Sequence, residues 1–152
     1  MFVPELDEHD VVDPYRLRRV LEVDVVRRLA EHDPELLAGH LEPLHDDVEA
    51  AEAAALAGRW AAVGTANMRF HQHLVGLAGS ARLDAITSRL LAELRLLFHV
   101  IATPRELHEP YIERNRELLE LLEARKYDEA AADLHQYLLD SEHGILEAFR
   151  VR

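Results

Sequence analysis

Leu83, Ile86, Leu90, Leu94, Leu97 and Ile101 recur three and four residues apart without a break, the spacing of one face of an α-helix. Ala131, Leu134, Leu138 and Ile145 repeat the pattern near the end of the chain. A strand could not bury such a face, because its side chains alternate with a period of two. Only six Gly and six Pro interrupt long runs of Leu, Ala, Glu and Arg. The expected fold is therefore all-α, an antiparallel bundle of about six helices with short connections. At 152 residues the chain suits one domain, able to bury about two-thirds of its unfolded-chain surface.

The punctuation places the helices. Residues 1–9 read as an extended lead-in, apolar at Phe2-Val3-Pro4 and acidic from Glu5 to Asp10, and residues 10–152 as the helical domain. The first helix is expected to start between Asp10 and Pro14, with Asp13 as cap and Pro14 at the first helical position. Tyr15, Val20, Leu21, Val23 and Leu29 supply its apolar positions. Pro34 opens a second helix, broken by Pro43 and ended at Gly58. A third spans about 59–78 and stops at Gly79, a fourth about 81–102 after Ser80, a fifth about 105–124 after Thr103-Pro104, and a sixth about 128–149.

Composition excludes several functions. Seventeen basic and twenty-nine acidic side chains give a net charge of -12, which repels phosphate backbones and anionic lipid headgroups. No stretch approaches a membrane span, and the N-terminus lacks the pattern of an export signal. Without cysteine there is no disulfide, thiolate metal site or cysteine nucleophile, as suits a cytoplasmic protein. There is no Gly-rich phosphate loop and no hydroxyl set beside a base, so no catalytic residue is assigned. Glu113, Glu117 and Glu120 read as a solvated face pairing with Arg114 and Arg116 or with water.

Polar residues that fall on apolar stripes carry more information, because burying them costs free energy unless something satisfies them. Asn67 and His71, four residues apart, share a face with Val63, Phe70 and Leu74. Asn115 lies on the stripe of Leu118, Leu119 and Leu122, and Tyr137 on that of Leu134 and Leu138. These four residues from three helices are expected to meet at the bundle centre as ligand-binding groups. Arg18, beside the first-helix stripe, and Arg89, beside Leu90, are candidate carboxylate anchors, with Leu94, Phe98, Leu118 and Leu134 as apolar walls. The ten histidines show no metal-ligand spacing, and His71 and His73 diverge on a helix.

The segments YRLRRVLEVDVVRRLA, NMRFHQHLVGLAGSARL and RNRELLELLEARKYDEAAADLHQYLLDSE, in that order, resemble the FadR C-terminal (FCD) ligand-binding domain of GntR-family transcriptional regulators. The similarity covers about Asp10 to Phe149. It implies a helical bundle that binds a small effector, often a carboxylate, pairs as a homodimer, and alters DNA binding by a winged helix-turn-helix domain N-terminal to it. Met1-Phe2-Val3-Pro4 resembles the last strand of that domain's wing, so the chain is expected to be a fragment that meets DNA only through the missing domain. Many family members hold a divalent metal through an Asp and three His, the first two in an Asp-x-x-Phe-His motif. Asn67, Phe70 and His71 match that motif with Asn in the Asp position, while Asn115 and Tyr137 fall where the other two His would stand. His71 is the one retained ligand position. This donor set supplies too little charge to hold a dication such as zinc tightly.

The expected function is thus an effector-sensing, dimerising domain of a bacterial GntR-type regulator, not an enzyme and without a cofactor, binding a small organic, carboxylate-bearing metabolite. Two rivals stand beside it: a metal-binding domain or metal-dependent hydrolase centred on His71, and a structural module whose interior polar residues pair only with one another.

Overall fold

The computed structural model describes residues 5–151, and every regular element among them is helical. The first rod is composite: α1 (His9–Arg18), a π-helical turn (Arg19–Val23), α2 (Asp24–Arg28) and a closing 3-10 turn (Leu29–Glu31). There follow α3 (Pro34–His40), α4 (Glu42–Leu56), α5 (Trp60–Gly76), α6 (Ala81–Ile101), α7 (Pro104–Glu123) and α8 (Tyr127–Arg150). With α3 and α4 counted as one rod broken before Pro43, these are the six rods expected.

Most boundaries have a local chemical cause. The Asp33 carboxylate accepts from the backbone N–H groups of Glu35 and Leu36, ahead of Pro34 at the first helical position. Ser80 accepts from Leu83 N–H at 3.2 Å. Thr103 and Glu106 cap α7 reciprocally, each side chain taking the other's backbone N–H. After α4 and α5 the chain turns through Gly58 (φ 70°) and Gly79 (φ 66°), in the left-handed region that glycine enters without a steric penalty.

The first rod departs from expectation twice. It begins at His9, before Asp13 and Pro14, because Asp7 and Asp10 cap each other: Asp7 N–H donates to the Asp10 carboxylate at 2.8 Å and Asp10 N–H to that of Asp7 at 3.1 Å. Pro14 therefore lies inside α1, and among described residues the irregular lead-in is confined to 5–7. The reading of Met1 to Pro4 as a wing strand lies outside the described residues. The π-helical turn then shifts the face that points inward. Val20 is 61% exposed, whereas Arg18 and Glu22 are buried.

α5 is central, packed on α4, α6 and α7, while α8 lies against the first rod and α7. The main core joins Tyr15, Phe70, Leu74, Leu94, Leu118 and Leu134, each no more than 1% exposed. A smaller cluster, Ala51, Ala54, Val63 and Ala66, seats α4 closely on α5. At Gly64 the approach of α7 is closer still, since a Cβ there would stand 2.7 Å from His108 Nε2. The surface pairs also differ from expectation. Arg114 reaches Asp140 on α8 and Arg116 reaches Glu52 on α4, so both bridge helices and leave the carboxylates of their own helix.

Core packing should outweigh capping in the stability of this bundle. Leu134→Ala is expected to lower unfolding free energy by about 2–5 kcal/mol and Thr103→Ala by about 1 kcal/mol, read from urea midpoints. A larger loss from the cap than from the core would contradict this packing.

Candidate functional site

Four helical rods deliver polar side chains to one interior. The π-helical turn brings Arg18 and Glu22 inward on the first rod, where Arg18 Nε–H donates to Glu22 Oε2 at 2.8 Å. The other Glu22 oxygen meets His71 Nδ1 from α5. On the far side of the same imidazole, Nε2 lies 2.9 Å from the Tyr137 hydroxyl of α8. All four residues are at most 4% exposed. For a neutral ring these contacts assign the protons: His71 Nδ1–H donates to the Glu22 carboxylate, and Tyr137 O–H donates to His71 Nε2.

The electrostatics agree with that assignment. Burial alone would raise the Glu22 carboxyl, but the Arg18 guanidinium and His71 outweigh it and hold it below its ordinary range. Burial pushes His71 below its ordinary value of 6.5, against the pull of Glu22, so the ring is neutral near pH 7. It also raises the Tyr137 phenol, which keeps its proton. The group as a whole carries one positive and one negative charge.

A second, uncharged group lies beside it, with Asn67 one helical turn from His71 on α5. Asn115 Nδ2 of α7 donates to Asn67 Oδ1 at 3.3 Å, and Asn67 Nδ2 donates to the His108 backbone oxygen at 3.3 Å. Asn115 is 2% exposed, and its Oδ1 has no hydrogen-bond partner. Such an orphan costs about 1–3 kcal/mol. At the edge of the interior the Tyr15 and Ser141 hydroxyls lie 2.7 Å apart, and the Tyr111 ring packs on that of Tyr137. Tyr111 and Ser141 also line an outer cleft of about 440 Å³ between the ends of α6, α7 and α8.

Asn67, His71, Asn115 and Tyr137 are thus all interior, paired as His71 with Tyr137 and Asn67 with Asn115. The expected walls Leu94, Phe98, Leu118 and Leu134 are buried in the same core. Of the two arginines, Arg18 turns inward and is held by Glu22. Arg89 does not line the interior: its side chain is 87% exposed and faces Glu93 one turn along α6. Its neighbour Leu90 points inward, which directs Arg89 outward. Glu22 is the residue that sequence reasoning missed. The signal was its position four residues after Arg18, masked by the apolar neighbours Val20, Leu21 and Val23.

The residues present do not fit the divalent metal that the resemblance associates with these four positions. The His71 Nε2 lone pair is taken by Tyr137, the Tyr137 oxygen remains protonated, and Asn67 and Asn115 are neutral. A dication is held by carboxylate, imidazole or thiolate donors free to face it. Among the described residues His45, Asp46 and Glu49 do bring ligand atoms within 4.8 Å of one another, but along the surface of α4, with Asp46 and Glu49 exposed.

Three perturbed groups make the fold sensitive to acid. Below about pH 6.5 the unfolded chain protonates at His71 while the folded chain does not, and His108, pushed down to about 4 mainly by burial, acts in the same direction. Below about pH 4.5 the unfolded chain protonates at Glu22, which the fold keeps ionised. Urea midpoints should therefore fall from pH 7 to pH 5 and again below pH 4.5. Glu22→Gln, which leaves the Arg18 charge buried alone, should cost about 3–5 kcal/mol and shrink the second fall, to which Glu8 and Asp140, also held below their ordinary range, still contribute. A midpoint independent of pH, or an innocuous Glu22→Gln, would contradict the assigned protons.

The family model of the FCD domain matches residues 13–140. The chain superposes on a structure described as a GntR transcriptional regulator from Rhodococcus sp. RHA1, with 33% identity and a TM-score of 0.85, over 97% of this chain and 69% of that one. It also superposes on a metal-free FCD domain of a transcriptional regulator, with 14% identity and a TM-score of 0.79, over 98% of this chain and all of that one. A third structure, of the protein Lar described as controlling the agr system of Listeria monocytogenes, aligns with 15% identity and a TM-score of 0.77, over 97% and 66% of the two chains. These two show the fold alone. No curated protein matches the chain. The match over most of the chain and the identity to the Rhodococcus regulator settle the family: this chain belongs to the FCD domains of GntR-type transcriptional regulators.

Proposed function

We propose that this domain senses a small organic effector in the bundle interior, around Asn67, His71, Asn115 and Tyr137, with Arg18 at its edge. The observation that carries the proposal is the burial of these polar side chains together with an unpaired carbonyl at Asn115. A paired charge in an apolar core contributes little to stability, because well-packed apolar side chains of similar volume serve as well or better. An interior in which four rods give packing to polar groups supports a use beyond holding the bundle together.

In this account the effector enters between the helices, exchanges hydrogen bonds with the network, and shifts the population of bundle arrangements. The domain pairs with a second copy and acts in the cytoplasm, and DNA is read by a winged-helix domain of the intact regulator. The net charge of -12 supports leaving DNA to another domain. No helix among the described residues is long and apolar enough to cross a membrane. Metal is not part of the mechanism, since the donor set does not fit it, and no residue is assigned to catalysis.

A thermal-shift screen of small metabolites tests the proposal. A ligand present at about 100 times its Kd stabilises the fold by about 2.7 kcal/mol, which for a domain of this length is roughly 5–10 °C. The shift should vanish in His71→Leu. Stabilisation that survives this replacement would place the ligand elsewhere, and a broad screen with no stabilising compound would favour the structural module.

A further inference from the structure

The positive charge in the interior is already answered. Arg18 faces one oxygen of Glu22, and His71 donates to the other. Among the described residues no further cation joins this network. Arg89 projects to solvent, and Arg114, whose guanidinium lies 5.2 Å from the Tyr137 ring centroid, is matched by Asp140 at 2.7 Å. A carboxylate entering here would bring a buried negative charge with no partner of its own, which an apolar interior tolerates worst.

The open hydrogen-bonding valence has the other polarity. Asn67 uses both ends of its amide, on Asn115 and on the His108 backbone. Asn115 uses only its donor, so its buried carbonyl oxygen waits for an N–H or O–H. The Tyr137 oxygen gives its proton to His71 and keeps lone pairs for a second donor. Leu118, one turn along α7 from Asn115, and Leu134, one turn from Tyr137 on α8, are both fully buried and supply apolar surface beside these acceptors.

Resting on the sensor function above, we propose that the effector is an uncharged polar molecule whose hydroxyl or amide N–H donates to Asn115 Oδ1, and not a carboxylate. The two family positions that would be Asp and His are here Asn67 and Asn115, which select by hydrogen-bond polarity where a metal site would select by charge. Arg18 and Glu22 then serve to hold His71 and Tyr137 in their proton arrangement, leaving acceptors facing the ligand.

Pairs of similar shape in which a neutral hydrogen-bond donor replaces a carboxylate test this on the protein as it stands: benzamide with benzoate, butyramide with butyrate, and cyclohexylmethanol with cyclohexanecarboxylate, extended across a broad panel of such pairs. Binding is measured by calorimetry, with the Asn115 and Asn67 side-chain amide signals followed by 15N NMR. The expected result is a neutral member binding at least tenfold more tightly than its acid and moving the Asn115 signals, with at least a tenfold loss in Asn115→Leu. The NMR readout stands even if that variant folds poorly. An acid that binds as tightly as its neutral partner, or more so, overturns the proposed ligand class and leaves the sensor function intact. A panel in which neither kind binds overturns both.

Discussion

The buried carboxylate of Glu22 is the constraint on which the rest of the interior turns. It stands between the Arg18 guanidinium and the His71 imidazole, at 1% exposure. A charge so placed needs both partners, because removing Arg18 leaves an uncompensated ion in a low-dielectric core and removing His71 leaves a buried carboxylate oxygen without its hydrogen bond. Through His71 it fixes which nitrogen of the ring bears the proton, and through that nitrogen the direction of the Tyr137 hydroxyl. The first rod, α5 and α8 are in this way registered against each other by hydrogen bonds as well as by the leucines around them. The π-helical turn gives Glu22 its position, turning a polar pair inward and Val20 outward.

The parts of the fold legible in the sequence were those with local causes. Gly58, Gly79, Ser80, Pro34 and Thr103-Pro104 act on the backbone within a turn of themselves, so the start of α3, the stops after α4 and α5, the start of α6 and the break between α6 and α7 could be placed from the residues alone. Asn67, His71, Asn115 and Tyr137 were legible for a related reason, since a residue three or four positions from buried leucines on a regular helix shares their direction. What escaped was non-regular or non-local. The mutual capping of Asp7 and Asp10 started α1 ahead of Pro14, and no periodic pattern announces such a pair. Glu22 was hidden because a π-helical turn changes the residues-per-turn count on which stripe reading depends. Arg89 faces solvent although Leu90 beside it is buried, because successive helical residues point about 100° apart.

Family membership does not by itself transfer the chemistry of the site. The positions that would hold a metal in many FCD domains are here two amides, one imidazole and one phenol, and they bond to each other in pairs. Amides are neutral at every physiological pH, and the phenol is kept protonated by burial. On the proposed function, the site exchanges a charge-based recognition problem for one of donor and acceptor placement. Specificity of that kind rests on leaving no polar atom of the site unpaired when the right molecule is present, and within this network Asn115 Oδ1 is the buried side-chain atom without a partner.

The central claim is that this polar interior exists for recognition and not for stability. Its most direct measurement is the thermal and urea unfolding of a variant carrying Arg18→Met, Glu22→Leu, His71→Leu and Tyr137→Phe together, which exchanges the whole charged chain for apolar side chains of similar bulk. The account predicts a folded helical domain whose melting temperature is unchanged or higher, but which no longer responds to compounds that stabilise the parent chain. A variant that unfolds, or melts far below the parent, would contradict it and make the network a structural element of the bundle.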